Sequence, residues 1–121
     1  MTKEEFLNTY GFFLSKKEID NLDDKDIQYL EKATDILIPC AWEDVGNTKE
    51  TAVPINCVHN EYIALTLAYI KYKRVRQALY EDKETNKYYD VITIKIMKNK
   101  EIQVWFDIND FYPKVYEELL D

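Results

Sequence analysis

The hydrophobic period changes part-way along the chain. Up to about residue 81, apolar residues recur at helical spacing; from residue 91 they alternate with polar ones. Three helix starts are signalled locally. Thr2 followed by Glu5 has capping-box spacing, with Phe6-Leu7 inside the helix it opens and Gly11 at its end. Ser15 followed by Glu18 repeats the signature and opens a turn through Leu22. Asp23 or Asp24 then caps a third helix with Ile27, Leu30, Ala33 or Thr34, and Leu37 or Ile38 on its buried side. Pro39 stops it, because proline disfavours helical geometry in the residue before it.

A fourth, long helix is predicted from Val58 or Asn60 to Tyr80 or Glu81, on the stripe Ala64, Leu67 or Ala68, Tyr72, Val75 and Leu79. Its first half, Tyr62 to Ile70, is apolar nearly all round, which implies burial on several sides. Its second half, Lys71 to Arg76, is basic outside the stripe, where a helix C-terminus favours cations. Residues 40–56, with Trp42, Gly46 and Pro54, read as a loop of functional length.

Period two follows. Ile92, Ile94 and Ile96 form one row, and Ile102, Val104, Phe106 and Ile108 another, giving two half-buried strands. Facing the rows predicts Ile94 opposite Val104 and Ile96 opposite Ile102. Lys98-Asn99-Lys100 is then the loop, with Asn99 or Lys100 left-handed. A two-stranded sheet is marginal alone, so helices must cover it or a third strand must join from 53–58 or 85–90. Asp110 can cap a final helix, with Pro113 in its first turn and Val115, Tyr116, Leu119 and Leu120 buried. The expected fold is one α+β domain over residues 1–121. Helices precede an antiparallel hairpin and a C-terminal helix, and they pack on one sheet face.

Composition adds charge to this picture. The 121 residues carry a net charge of −7. That argues against a phosphate-backbone or anionic-lipid binder and would steer the protein toward basic partners. No signal-peptide pattern or membrane-length apolar run occurs in the sequence, so the expected setting is the cytoplasm, with Cys40 and Cys57 reduced. The Lys/Asn/Ile/Tyr-rich usage looks like a low-GC bacterial or phage gene.

Catalytic signatures are weak. Cys57 and the lone histidine, His59, have a spacing that pairs thiol and imidazole on a strand face, but no oxyanion turn accompanies them. With Cys40 they lack the paired spacing of structural zinc sites. Asp20, Asp24 and Glu31 fit positions 1, 5 and 12 of a calcium loop, but Leu22 and Lys25 occupy positions 3 and 6. No cofactor or metal is called for.

Aromatic residues point instead to recognition. Ten tyrosines exceed what a core of this size needs. Tyr and Trp anchor interfaces by burying large area with few rotatable bonds. Trp42 beside Glu43 and Asp44 either anchors a partner or folds back over the core. Trp105, between Gln103 and Asp107, either meets a helix or faces a partner. Trp42, Glu43, Asp44, Trp105, Asp107, Tyr88 and Tyr89 are therefore the partner-binding candidates. Tyr69, Lys71, Lys73, Arg74 and Arg76 are candidate ligand or anion contacts, although a solvated or internally paired face is the simpler account of the basic segment. The leading expectation is a non-enzymatic module that binds a basic protein surface, as inhibitors, immunity proteins and anti-defence proteins do. The alternatives are a self-assembling structural protein, hence a homo-oligomer, and a binder of a nucleotide-like small molecule.

Overall fold

A computed structural model describes residues 1–39 and 48–112. The locally signalled helices form where their caps lie. In α1 (Lys3–Tyr10) the Glu5 N–H donates to Thr2 Oγ1 at 3.1 Å, and Gly11 is the C-cap. In α2 (Lys16–Asn21) Ser15 and Glu18 reciprocate. Asp23 caps α3 (Asp24–Leu37) with Asp26 as its reciprocal partner. Ile27, Leu30, Ala33, Thr34 and Leu37 are buried, while Ile38 turns to solvent.

The long fourth helix is the main correction. α4 spans only Val58–Tyr69, and residues 73–82 form a strand. The helix breaks at Ile70, whose φ of 55° and ψ of −58° make a tight γ-turn in which the Lys71 N–H donates to the Tyr69 carbonyl. Val75 and Leu79, expected on the buried stripe, are exposed. The all-round apolar first half behaves as anticipated, with Ile63, Ala64, Leu65 and Leu67 buried.

Four strands make one mixed sheet in the order β1-β4-β3-β2. β1 (Val53–Pro54) runs parallel to β4 (Glu101–Asp107), so the anticipated third strand from 53–58 does join. β3 (Lys87–Lys95) lies between β4 and β2 (Lys73–Asp82), antiparallel to both. The predicted β3/β4 register is displaced by two residues: Ile92 faces Val104 and Ile94 faces Ile102. The loop is Met97-Lys98-Asn99, closed by Ile96 N–H donating to the Lys100 carbonyl at 2.9 Å. Lys98 and Asn99 are left-handed; Lys100 is extended. A two-residue displacement keeps parity, so both apolar rows still face the core.

Ile92, Ile94, Val104 and Phe106 share one core cluster with Phe6, Ile27, Leu30, Leu37, Ile63 and Leu65. The last described segment turns back through Phe111 and Tyr112, whose N–H groups donate to the Ile108 carbonyl. The C-terminal helix expected after Asp110 falls mostly outside the described residues, and its first positions, Phe111 and Tyr112, are in a turn. No described helix is long and apolar enough to cross a membrane.

Candidate functional site

Strand β2 organises the features that are candidates for function. It is the sheet margin, and nine of its ten side chains are exposed. Cross-strand partners assign its faces. Arg74, Gln77, Leu79 and Glu81 stand opposite Ile94, Ile92, Asp90 and Tyr88, on the helix side. Lys73, Arg76, Ala78, Tyr80 and Asp82 stand opposite Lys95, Thr93, Val91, Tyr89 and Lys87, on the outer side. The phase changes at Val75, a bulge residue between Arg74 and Arg76.

On the helix side a polar chain runs from the surface to a buried acid. Arg74 Nη1 donates to Tyr62 Oη at 2.8 Å, with the guanidinium 5.4 Å from the ring centre. Tyr62 Oη donates to Gln77 Oε1, and Gln77 Nε2 donates to Asp90 Oδ2 at 2.6 Å. Beyond Asp90 lies Glu61 of α4, fully buried. No N–H or hydroxyl donates to either Glu61 oxygen. Burial pushes the Glu61 pKa up to about 10, and the neighbouring Asp90 pushes the same way. The fold therefore favours the neutral form of Glu61.

On the outer side three rings meet. Trp105 lies 5.1 Å from Tyr80 and 6.0 Å from Tyr89, centre to centre. Tyr80 is 41% exposed, whereas Tyr89 is buried and Trp105 half-buried with its Nε1–H unpartnered. Next to Tyr89, a hollow of about 400 Å³ is lined by Glu50, Asp82 and Glu84 against Lys49 and Lys87. Lys49 is already engaged, donating to Asp82 Oδ2 at 3.2 Å. That bond, foremost, raises the Lys49 pKa. Burial would raise that of Asp82, but bonds from Lys49, Thr85 and the Glu84 N–H prevail and lower it.

The structure divides the sequence candidates. Trp42, Glu43 and Asp44 lie outside the described residues. Trp105 and Tyr89 are together. Tyr88 is on the other face, its ring 4.9 Å from Tyr112, because neighbours along a strand point oppositely. Asp107 is committed to Asn109, accepting from its Nδ2 at 2.6 Å and its N–H at 3.1 Å. The basic candidates form no single patch. Arg74 faces the helices, Lys73 and Arg76 the outer side, and Arg76 reaches Glu101 at 3.5 Å. Tyr69 and Lys71 line a separate apolar groove of about 350 Å³ with Ile38, Ile70, Ile96 and Met97. Burial pushes the Tyr69 phenol up.

Glu61 was not singled out by sequence. Its one signal is an acid at the threshold of an all-apolar helical run. A second missed cluster joins α3 to α4. Asp26 Oδ1 accepts from Asn56 Nδ2 and Asn60 Nδ2, each at 2.8 Å. Beside it, Cys57 is half-buried; burial foremost, then the negative charge of Asp26, pushes its thiol pKa up despite N–H donors from Asn60 and His59. We therefore expect Cys57 to alkylate more slowly with iodoacetamide at pH 8 than a free cysteine, read by mass spectrometry of the Cys57 peptide. A rate equal to or above the free thiol would show a thiolate there. Among the described residues no three His, Cys, Asp or Glu side chains converge as a metal site.

No protein-family model, curated protein or solved structure matches the chain.

Proposed function

We propose that the chain is a non-enzymatic protein-binding module that offers the outer face of its sheet to a partner with a basic surface. The supporting observation is the Tyr80–Trp105–Tyr89 cluster, set on the face away from the main core and displaying Tyr80. A half-exposed phenol held by a Trp is pre-ordered, so docking against it loses little rotamer entropy. Glu84 and Glu50 lie near it and are exposed, so a basic patch would be drawn in at long range and the rings would supply affinity.

The test is capture from the native host with immobilised wild type and with a Tyr80→Ser/Glu84→Lys variant matched for stability. We expect a stoichiometric protein held by the wild type, lost with the variant, and associating more slowly as salt rises. Equal capture by both proteins, or no stoichiometric protein, would overturn the proposal. A small molecule co-purifying instead would favour a ligand-binding role for the groove at Tyr69 and Lys71, where Ile70 holds a strained backbone conformation.

A further inference from the structure

The open margin of β2 carries its charges in a particular order. Lys73, Arg74 and Arg76 lie at one end, and Glu81 and Asp82 at the other. Among the described residues the strand pairs on one side only, with β3. Among the described residues the outward-pointing backbone groups of this ten-residue strand form a long edge, which natural sheets normally pair, cover or blunt. Charge does blunt it toward a strand of arbitrary sequence. Toward an antiparallel copy of itself, the same charges are complementary.

We propose that β2 is a homodimerisation edge, two copies pairing antiparallel about a twofold axis at Ala78 to make one eight-stranded sheet. The axis must stand perpendicular to the sheet, because only that operation reverses the strand while keeping each face on its own side. Opposite residues must then share a face. Around Ala78 opposite Ala78 of the second copy, Gln77 meets Leu79 on the helix side and Arg76 meets Tyr80 on the outer side, as their assigned faces require.

Without the bulge, continuing this register would set Val75 opposite Glu81 and Arg74 opposite Asp82, which lie on different faces. Val75 is the extra residue, so two residues of one strand stand against one of the other and the count resets. Arg74 then meets Glu81 on the helix side, and Lys73 meets Asp82 on the outer side. Every pair shares a face, and both ends carry opposite charges. Arg74–Glu81 is the stronger contact, since Asp82 already binds Lys49, whereas the Arg74 guanidinium keeps donors beyond the one spent on Tyr62. Both Tyr80–Trp105 clusters would lie on one side of the joint sheet. The dimer stands whether or not that face binds another protein.

Sedimentation velocity across a concentration series tests this with two single variants. Arg74→Glu places Glu opposite Glu81 twice, and Glu81→Lys places Lys opposite Arg74 twice. Each alone is expected to weaken the dimer about tenfold or more, since two attractive cross-strand pairs become repulsive. Mixed together, the two variants restore both attractive pairs, so the mixture is expected to dimerise at the wild-type level as a heterodimer. The mixing arm separates lost pairing from damaged folding, because a misfolded variant is not rescued by its counterpart. A monomeric wild type would overturn the proposal and leave the edge to a strand of another protein. Wild-type dimers unaffected by either variant, or a mixture no tighter than its components, would overturn it equally, while the reading of the ring cluster would remain open to its own capture test.

Discussion

At pH 7, Glu61→Gln is expected to stabilise the chain by about 2–3 kcal/mol, and by almost nothing near pH 4.5. The expectation follows from linkage. The Glu61 carboxyl has an ordinary pKa of 4.5 and a folded value of about 10, so the folded state holds a proton that the unfolded state releases. Its contribution is complete below pH 4.5 and declines as pH rises toward the folded value, at about 1.4 kcal/mol per pH unit. At pH 7 the decline has reached about 3 kcal/mol, and any folded pKa well above 7 gives the same figure. Glutamine keeps the shape and a donor for Asp90 but takes up no proton. Urea denaturation of both proteins at several pH values measures the gap, which should widen steadily from pH 5 to pH 9. A gap independent of pH would mean that Glu61 is ionised in the fold.

The location of Glu61 explains why the acid is retained only as a neutral group. α4 is covered on several sides, and Glu61 enters that enclosure beside Asp90 of β3. Two anions there would repel in a medium of low effective dielectric. A proton on Glu61 removes the repulsion, and Gln77 donates to Asp90. The Arg74–Tyr62–Gln77 chain thus runs from the open strand to Asp90, next to the buried Glu61.

What could be read from the sequence was what is decided locally. The Thr2/Glu5, Ser15/Glu18 and Asp23/Asp26 boxes each act within one turn, and the helices start there. The rows of β3 and β4 show because each has a polar neighbour on the opposite face. Their register slipped because the left-handed pair is Lys98-Asn99, which moves the turn by one residue and the pairing by two. Strand β2 left no period to read. Its side chains are exposed on both faces, and Tyr72, Val75 and Leu79 happen to match a helical stripe that simply continues α4. No Gly or Pro marks the break at Ile70. Pairing with β3 decides the matter, and that contact is distant in sequence from any cap. The same blindness hid the candidate sites. Tyr80 joins Trp105 and Glu61 joins Asp90 only once the strands are aligned.

Asp26→Ala is expected to destabilise the chain by about 2–4 kcal/mol. The Asp26 carboxylate accepts from Asn56, Asn60 and the Asp23 N–H, and its own N–H is capped by Asp23 Oδ1 at 2.8 Å. Hydrogen bonds to a charged acceptor contribute about 1.5–3 kcal/mol each, and loss of the reciprocal cap adds about 1 kcal/mol; the bonds share one carboxylate, so the sum is less than additive. Asn60 is buried and keeps only its bond to Asn56, so its second amide hydrogen would be stranded. Burial alone would raise the Asp26 pKa; the Asp23 N–H and the two amides prevail and hold it below its ordinary 3.8. The charge therefore stabilises the fold fully above pH 3.8, and that stabilisation fades as pH falls through the lower folded value. Asp26→Asn preserves the shape without the charge, so its deficit against wild type should be constant from pH 5 to pH 7 and shrink below pH 3.8, while the deficit of Asp26→Ala persists in part. Chemical denaturation at pH 7 and pH 3 would show this. A loss below about 0.5 kcal/mol for Asp26→Ala would mean that the joint between α3 and α4 is held by apolar packing and not by this carboxylate.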